Sequence, residues 1–226
     1  MKIQDIPFTK LNTVEIVNKL INGPISVVTA HAEMVYMALN KDDYLMPMLA
    51  ADIITADGVG LIWGLKLLGE NLSKHSGVDI VESILNSKKN TRLFLFGGLE
   101  DTARKAADKM ISEGANVVGY HPGYYYDKKE VFAEIKRAKA QVVLVGMGGS
   151  EKQLMLVNEI RDDLEVSAIT VGGVIDLYAG ITRRAPKVFQ LVGLEWLWRT
   201  VLTPKRIVKI PSLVGFTFKV IGEKLR

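Results

Sequence analysis

The sequence contains no cysteine, which excludes a disulfide framework, a thiolate metal site and a cysteine nucleophile. A cytosolic setting is then the simplest reading. Histidine is almost as scarce: His31, His75 and His121 are the only three, and their spacing is not that of a zinc site. Although 48% of the residues are hydrophobic, no uncharged apolar run reaches the roughly 18 residues of a membrane span. The N-terminal MKIQDIPFTKLNTVEIV carries a charge every few residues, unlike a signal or transit peptide. Three phosphate-binding signatures are also missing. There is no spaced G-x-G-x-x-G with an acid about 20 residues on and no Walker loop, and no Asp-x-Asp pair to hold a divalent metal on a diphosphate. A nucleotide-dependent oxidoreductase is therefore disfavoured, and no nucleic-acid reading motif is recognisable.

What is present is a chain of 226 residues, enough for one sizeable core, or one core with a small appendage. Short β-branched runs end in Gly, Asp or Thr and lead into helical patterns: 25–29, 52–56, 92–96, 117–120, 141–145 and 168–171. Strands alternating with helices of about 10–15 residues predict βαβ units around a parallel sheet. Near-continuous Val/Ile/Leu runs are the pattern of strands buried on both faces. The expected fold is α/β, a Rossmann-like parallel sheet flanked by helices, spanning 1–190. A basic amphipathic helical appendage is expected over 191–226. From Arg183 to Arg226 ten Lys and Arg face only Glu195 and Glu223, a net +8, leaving −4 on the first 182 residues. Such an end suits an anionic lipid surface or nucleic acid. The run IVKIPSLVGFTFKVIGEKLR, apolar clusters with isolated lysines, has the look of an interfacial helix. It is expected to be separable after about Leu202, leaving the body folded.

In open parallel sheets ligands sit beyond the C-terminal strand ends, where most of the glycine clusters fall. Thr55-Ala56-Asp57-Gly58-Val59-Gly60 ends one strand and opens a helix, so that Asp57 is either an ordinary N-cap or a functional acid. Gly97-Gly98 and Gly146-Met147-Gly148-Gly149 have the same placement. In Gly172-Gly173-Val174-Ile175-Asp176 through Arg183-Arg184-Ala185-Pro186, Arg184 is poised to bind a phosphate or to pair with Asp176. His31 and His75 are candidates to line the crevice, whereas His121-Pro122-Gly123 reads as turn chemistry. With no acidic metal pair, a departing diphosphate has to be neutralised by Lys, Arg and backbone amides.

Together these segments resemble the WecG/TagA/CpsF glycosyltransferase family (glycosyltransferase family 26). The resemblance is carried by Thr29-Ala30-His31-Ala32-Glu33-Met34-Val35, Ala56 to Gly60, Gly77-Val78-Asp79, Gly146 with Glu151-Lys152, Gly172 to Pro186, and Gly193-Leu194-Glu195-Trp196-Leu197-Trp198-Arg199. It implies an inverting, metal-independent transfer of a sugar, typically N-acetylmannosamine from UDP, to an undecaprenyl-diphosphate-linked sugar. The products are teichoic acid, enterobacterial common antigen or capsular and exopolysaccharide. It further implies no cofactor, self-association, and a peripheral position on the cytoplasmic face of the membrane.

By position, Asp57 matches the family's general base and Thr29 a residue that positions the sugars. His31 stands where the family has Asn, and Lys74 where it has Arg. Gly148-Gly149-Ser150-Glu151 replaces Pro-Lys-Gln-Glu. The expected catalytic set is Asp57, Lys74, Thr29 and His31. The expected contacts to UDP-sugar and diphosphate are Gly58, Gly97, Gly146, Ser150, Glu151, Gly172, Gly173, Asp176, Arg184, Arg199 and Arg206. Because the three departures lie at crevice loops, a different donor such as UDP-glucose, or a catalytically silent partner subunit, stands as the alternative.

Overall fold

The structure, a computed structural model, describes residues 2–87, 90–186, 189, 198, 208 and 210–225. Six strands form one parallel sheet: β1 (Ser26–Ala30), β2 (Ile53–Ala56), β3 (Leu93–Gly97), β4 (Val117–His121), β5 (Val142–Gly146) and β6 (Ser167–Thr170), in the order β2-β1-β6-β5-β3-β4. Each lies within one residue of a run anticipated from β-branched composition. The helices are α1 (Thr13–Asn22), α2 (Ala32–Ala38), α3 (Asp42–Leu49), α4 (Val59–Leu67), α5 (Gly77–Asn86), α6 (Glu100–Ser112), α7 (Lys128–Arg137), α8 (Glu151–Leu164), α9 (Val174–Tyr178) and, at the C-terminal end, α10 (Ile210–Lys224). This is the Rossmann-like α/β architecture expected.

Successive strand residues point to opposite faces, and each face builds its own core. Val27, Ile53, Leu95, Leu144 and Ile169 pack under α1, α5, α6 and α9. Val28, Ile54, Phe96, Val145 and Ala168 pack under α2, α3, α4, α7, α8 and α10. The edge of β2 is covered by the N-terminal segment, where Phe8 bridges to Ile54 and the Thr9 amide donates to the Ile54 carbonyl.

The seam between β1 and β6 separates the first two strands from the other four. Its backbone ladder pairs only Ser26 with Ala168 and Val27 with Ile169. Beyond that, side chains continue it: the Thr29 amide donates to Thr170 Oγ1 and the Thr29 hydroxyl donates to the Thr170 carbonyl, each at 2.8 Å. The sheet therefore opens at this switch point without leaving buried polar groups unpaired.

The C-terminal helix corrects the expectation of a detachable tail. Phe216 and Val220 are buried in the same core as α2 and α4, and a Cβ at Gly64 of α4 would come within 2.9 Å of both side chains. Glu223 accepts the backbone amides of Ile3 and Gln4, tying α10 to the N-terminus. Cutting after Leu202 would therefore strip side chains out of the body. The expected boundary at 190/191 lies outside the described residues. Among the described residues no helix is long and apolar enough to cross a membrane.

Candidate active site

A cleft of about 1340 Å³ opens at the C-terminal ends of the strands. Thr29, His31, Asp57, Gly58, Lys74, Gly146, Ser150, Gly172, Gly173 and Asp176 all line it. Thus ten of the fifteen anticipated residues come together from five separate loops.

Asp57 follows β2, and its amide donates to the Ala30 carbonyl at 2.7 Å, which holds the two strand ends level. It is not the helix N-cap. That position belongs to Gly58, whose φ of +82° suits glycine, so the turn leaves the Asp57 side chain at the cleft. Lys74 is brought to the same end by a doubling back of the chain after α4. The His75 amide donates to the Ala56 carbonyl, and the buried Thr55 hydroxyl donates to the His75 carbonyl. His75 itself turns away from the cleft: its ring is buried, with Nδ1 at 2.9 Å from the Thr13 hydroxyl. Burial holds its pKa below the ordinary histidine value, against an opposing pull from Asp79.

His31 caps α2, with Nδ1 accepting the Met34 amide at 3.3 Å. In the neutral ring the proton therefore sits on Nε2. That nitrogen stands over the loop after β5, 3.2 Å from where a Cβ at Gly149 would lie. The loop is braced by Gln153, a fully buried residue whose Oε1 accepts the Met147 amide at 2.7 Å. Ser150 ends the loop as the N-cap of α8, its hydroxyl turned toward the Met147 carbonyl. Gly172 and Gly173 make the turn between β6 and α9, and Asp176 lies on α9.

Three anticipated contacts are placed elsewhere. Gly97 packs against the carbonyl of Gly146, its partner on β5; a side chain there would collide with that strand, and it is Gly98 that faces the cleft. Glu151 opens α8 and accepts a hydrogen bond from Tyr44, whose pKa is raised by burial and by that carboxylate. Arg184 is clamped to α5, pairing with Asp79 at 2.7 Å and with Glu82. It is thus spent on two carboxylates, which its sequence neighbours do not reveal. Burial favours neutral Asp79, but the Ser76 hydroxyl, Lys74 and Arg184 outweigh it and hold the carboxyl below its ordinary value. Arg199 and Arg206 lie outside the described residues, as does most of the Gly193–Arg199 motif.

Other lining residues were not anticipated as contacts: Leu99 after β3, Tyr124 after β4, Lys152 on α8, and Trp63, Ile210, Leu213 and Val214 at the α4–α10 end. Only Gly123 hints at Tyr124. Its amide donates to Gly98, and a Cβ there would press within 2.8 Å of Gly97 Cα.

The family model described as glycosyl transferase WecG/TagA/CpsF family matches residues 1–226. The chain belongs to that family. It is a glycosyltransferase, and among its relatives is the N-acetylglucosaminyldiphosphoundecaprenol N-acetyl-β-D-mannosaminyltransferase of Bacillus subtilis (strain 168). The two are 28% identical over 233 residues, covering 98% of this chain and 91% of the relative. A protein of the same name from Bacillus spizizenii is 28% identical over 201 residues, 85% of this chain and 78% of the relative. This WecG/TagA/CpsF member thus gathers His31 after β1, Asp57 after β2 and Lys74 from the loop after α4 at one cleft.

Proposed function

We propose that this protein transfers a sugar of the N-acetylmannosamine type from a UDP-sugar to a hydroxyl of a polyprenyl-diphosphate-linked sugar, inverting the anomeric centre, in cell-surface polymer or teichoic acid synthesis. The observation that carries the reading is the cleft itself. It joins a carboxylate, Asp57, to a cation, Lys74, and to the glycine-lined loops after β5 and β6.

In this reading Asp57 takes the proton of the acceptor hydroxyl as that oxygen bonds to the anomeric carbon. The bond from that carbon to the β-phosphate oxygen breaks, and UDP leaves with the electron pair. Attack opposite the leaving group inverts the centre. Lys74 meets the diphosphate charge as a point charge without the planar fork of an arginine, and backbone amides around Gly146, Gly172 and Gly173 add donors. Arg199 or Arg206 supplies further positive charge, and no metal takes part, in keeping with the absence of an Asp-x-Asp pair. Thr29 shapes the floor of the cleft.

The acceptor is membrane-borne, and α10 supports delivery from an anionic bilayer on the cytoplasmic face. Ile210, Val214, Phe218, Ile221 and Leu225 form an exposed apolar stripe along the helix, and Lys219 and Lys224 are exposed on the same helix. This is the pattern of a helix lying in the interface. Self-association of the family type belongs to the same proposal. A second reading, a different UDP-hexose such as UDP-glucose, is favoured by the His31 ring filling the space over Gly149.

A panel of UDP-sugars offered with a synthetic polyprenyl-diphosphate N-acetylglucosamine, read by mass spectrometry, tests both readings. Transfer from UDP-N-acetylmannosamine is expected. Transfer from another hexose alone would move the chain to the second reading, and no transfer from any donor would favour a silent partner subunit.

A further inference from the structure

We propose that the arm of the cleft between α4 and α10, whose α10 wall is the inner end of the apolar stripe, binds the polyprenyl chain of the acceptor directly. This rests on the transferase reading above.

The arm begins at the reacting group. Asp57 stands two residues before the first turn of α4, so an acceptor hydroxyl held there places the rest of the acceptor beside that helix. Along α4, Val59 and Trp63 are one turn apart, 41% and 48% exposed, and both line the cleft. Ile210 and Val214 are one turn apart on α10, 39% and 47% exposed, and line the same cleft. Apolar side chains left open inside a concave site are a binding surface awaiting an apolar ligand.

Charge decides what that ligand is. From Val59 to Leu65 and from Ile210 to Phe218 there is no charged residue, so these two helix stretches offer no cation to a diphosphate. The cation Lys74 and the glycine loops lie on the rest of the cleft wall. An acceptor with a charged diphosphate and a long hydrocarbon tail matches that division, its head toward Lys74 and its tail along the apolar arm.

The arm is also rigid. Gly64 lets α4 approach Phe216 and Val220 so closely that a single added methyl would lie 2.9 Å from each. Glu223 anchors the far end of α10 to the Ile3 and Gln4 amides. The floor is therefore closed and the walls are held. The stripe of Phe218, Ile221 and Leu225 continues outward from it along α10, a path by which the chain would run into the bilayer.

The test uses soluble acceptors without vesicles or detergent: N-acetylglucosamine diphosphate capped by a methyl group, or by one, two or three isoprene units. For the wild type, kcat/KM should rise about tenfold or more from the methyl to the three-isoprene compound. In Trp63→Ser and Val214→Ser, that ratio should fall toward one. Val14→Ser, an exposed apolar residue on α1, should keep the wild-type ratio, and melting curves check that each variant is folded. A wild-type ratio near one, or variants that keep the full ratio, would overturn the inference while leaving the transferase reading standing. Failure of the wild type to use any of these acceptors would overturn both.

Discussion

Thr29 and Thr170 bind each other across the seam at which the sheet opens, the amide of the first donating to the hydroxyl of the second and its hydroxyl to the carbonyl of the second. The backbone ladder has ended two residues earlier, so this pair holds the floor of the cleft closed. Thr29→Val keeps the shape but removes the donor, leaving a buried carbonyl short of its partner. A loss of about 1–3 kcal/mol is expected, measured by urea unfolding, with Thr29→Ser retaining most of the stability. Equal stability of the valine and wild-type proteins would show that the seam does not need the bond.

Asp57→Asn is isosteric and leaves the amide bond to Ala30 in place, so the melting temperature should stay close to wild type. Transfer should fall by roughly 10²–10⁴-fold, the usual contribution of a general base. Steady-state kinetics with the preferred donor would check this, and near-wild-type turnover would remove Asp57 from the base role.

Arg184 and Asp79 make stability depend on acidity. The folded Asp79 pKa lies below the ordinary 3.8, so its contribution is complete above that value and is lost as pH falls through the lower folded value. Arg184→Gln should cost on the order of 1 kcal/mol at pH 7, since the pair is partly exposed. The difference from wild type should shrink as Asp79 protonates. Unfolding curves between neutral pH and about pH 2 would measure it, and a gap that stayed constant would contradict the assignment.

Gly64→Ala tests how closely α4 and α10 are packed. The added methyl meets Phe216 and Val220, and overpacking of this kind costs about 1–3 kcal/mol. Calorimetry should show the loss, together with altered chain-length dependence if the apolar arm is displaced. An unchanged melting temperature would mean that α10 yields easily.

Much of this was legible in the chain. Runs such as 141–145 and 92–96 announce strands because β-branched and aromatic residues alternate between two buried faces. Asp57, Lys74 and His31 could be read as crevice residues because each lies close to where a strand ends or a loop returns. Arg184 could not be placed: whether it meets a phosphate or a carboxylate depends on which helix lies beside its loop, and that helix, α5, is about a hundred residues earlier. Gly97 misled for a similar reason. A glycine at a strand end looks the same whether it admits a ligand or a neighbouring backbone, and here it admits Gly146.

By itself, then, the sequence determined the strands, their parallel arrangement and the family, because these follow from local periodicity and from motifs spread along the chain. Only the tertiary structure decided that Thr29 stitches a seam, that His31 stands over Gly149, and that α10 is packed into the body while baring an apolar stripe. Those relationships join residues that are distant in the chain, and side-chain packing and charge pairing select them only once the sheet order is in place.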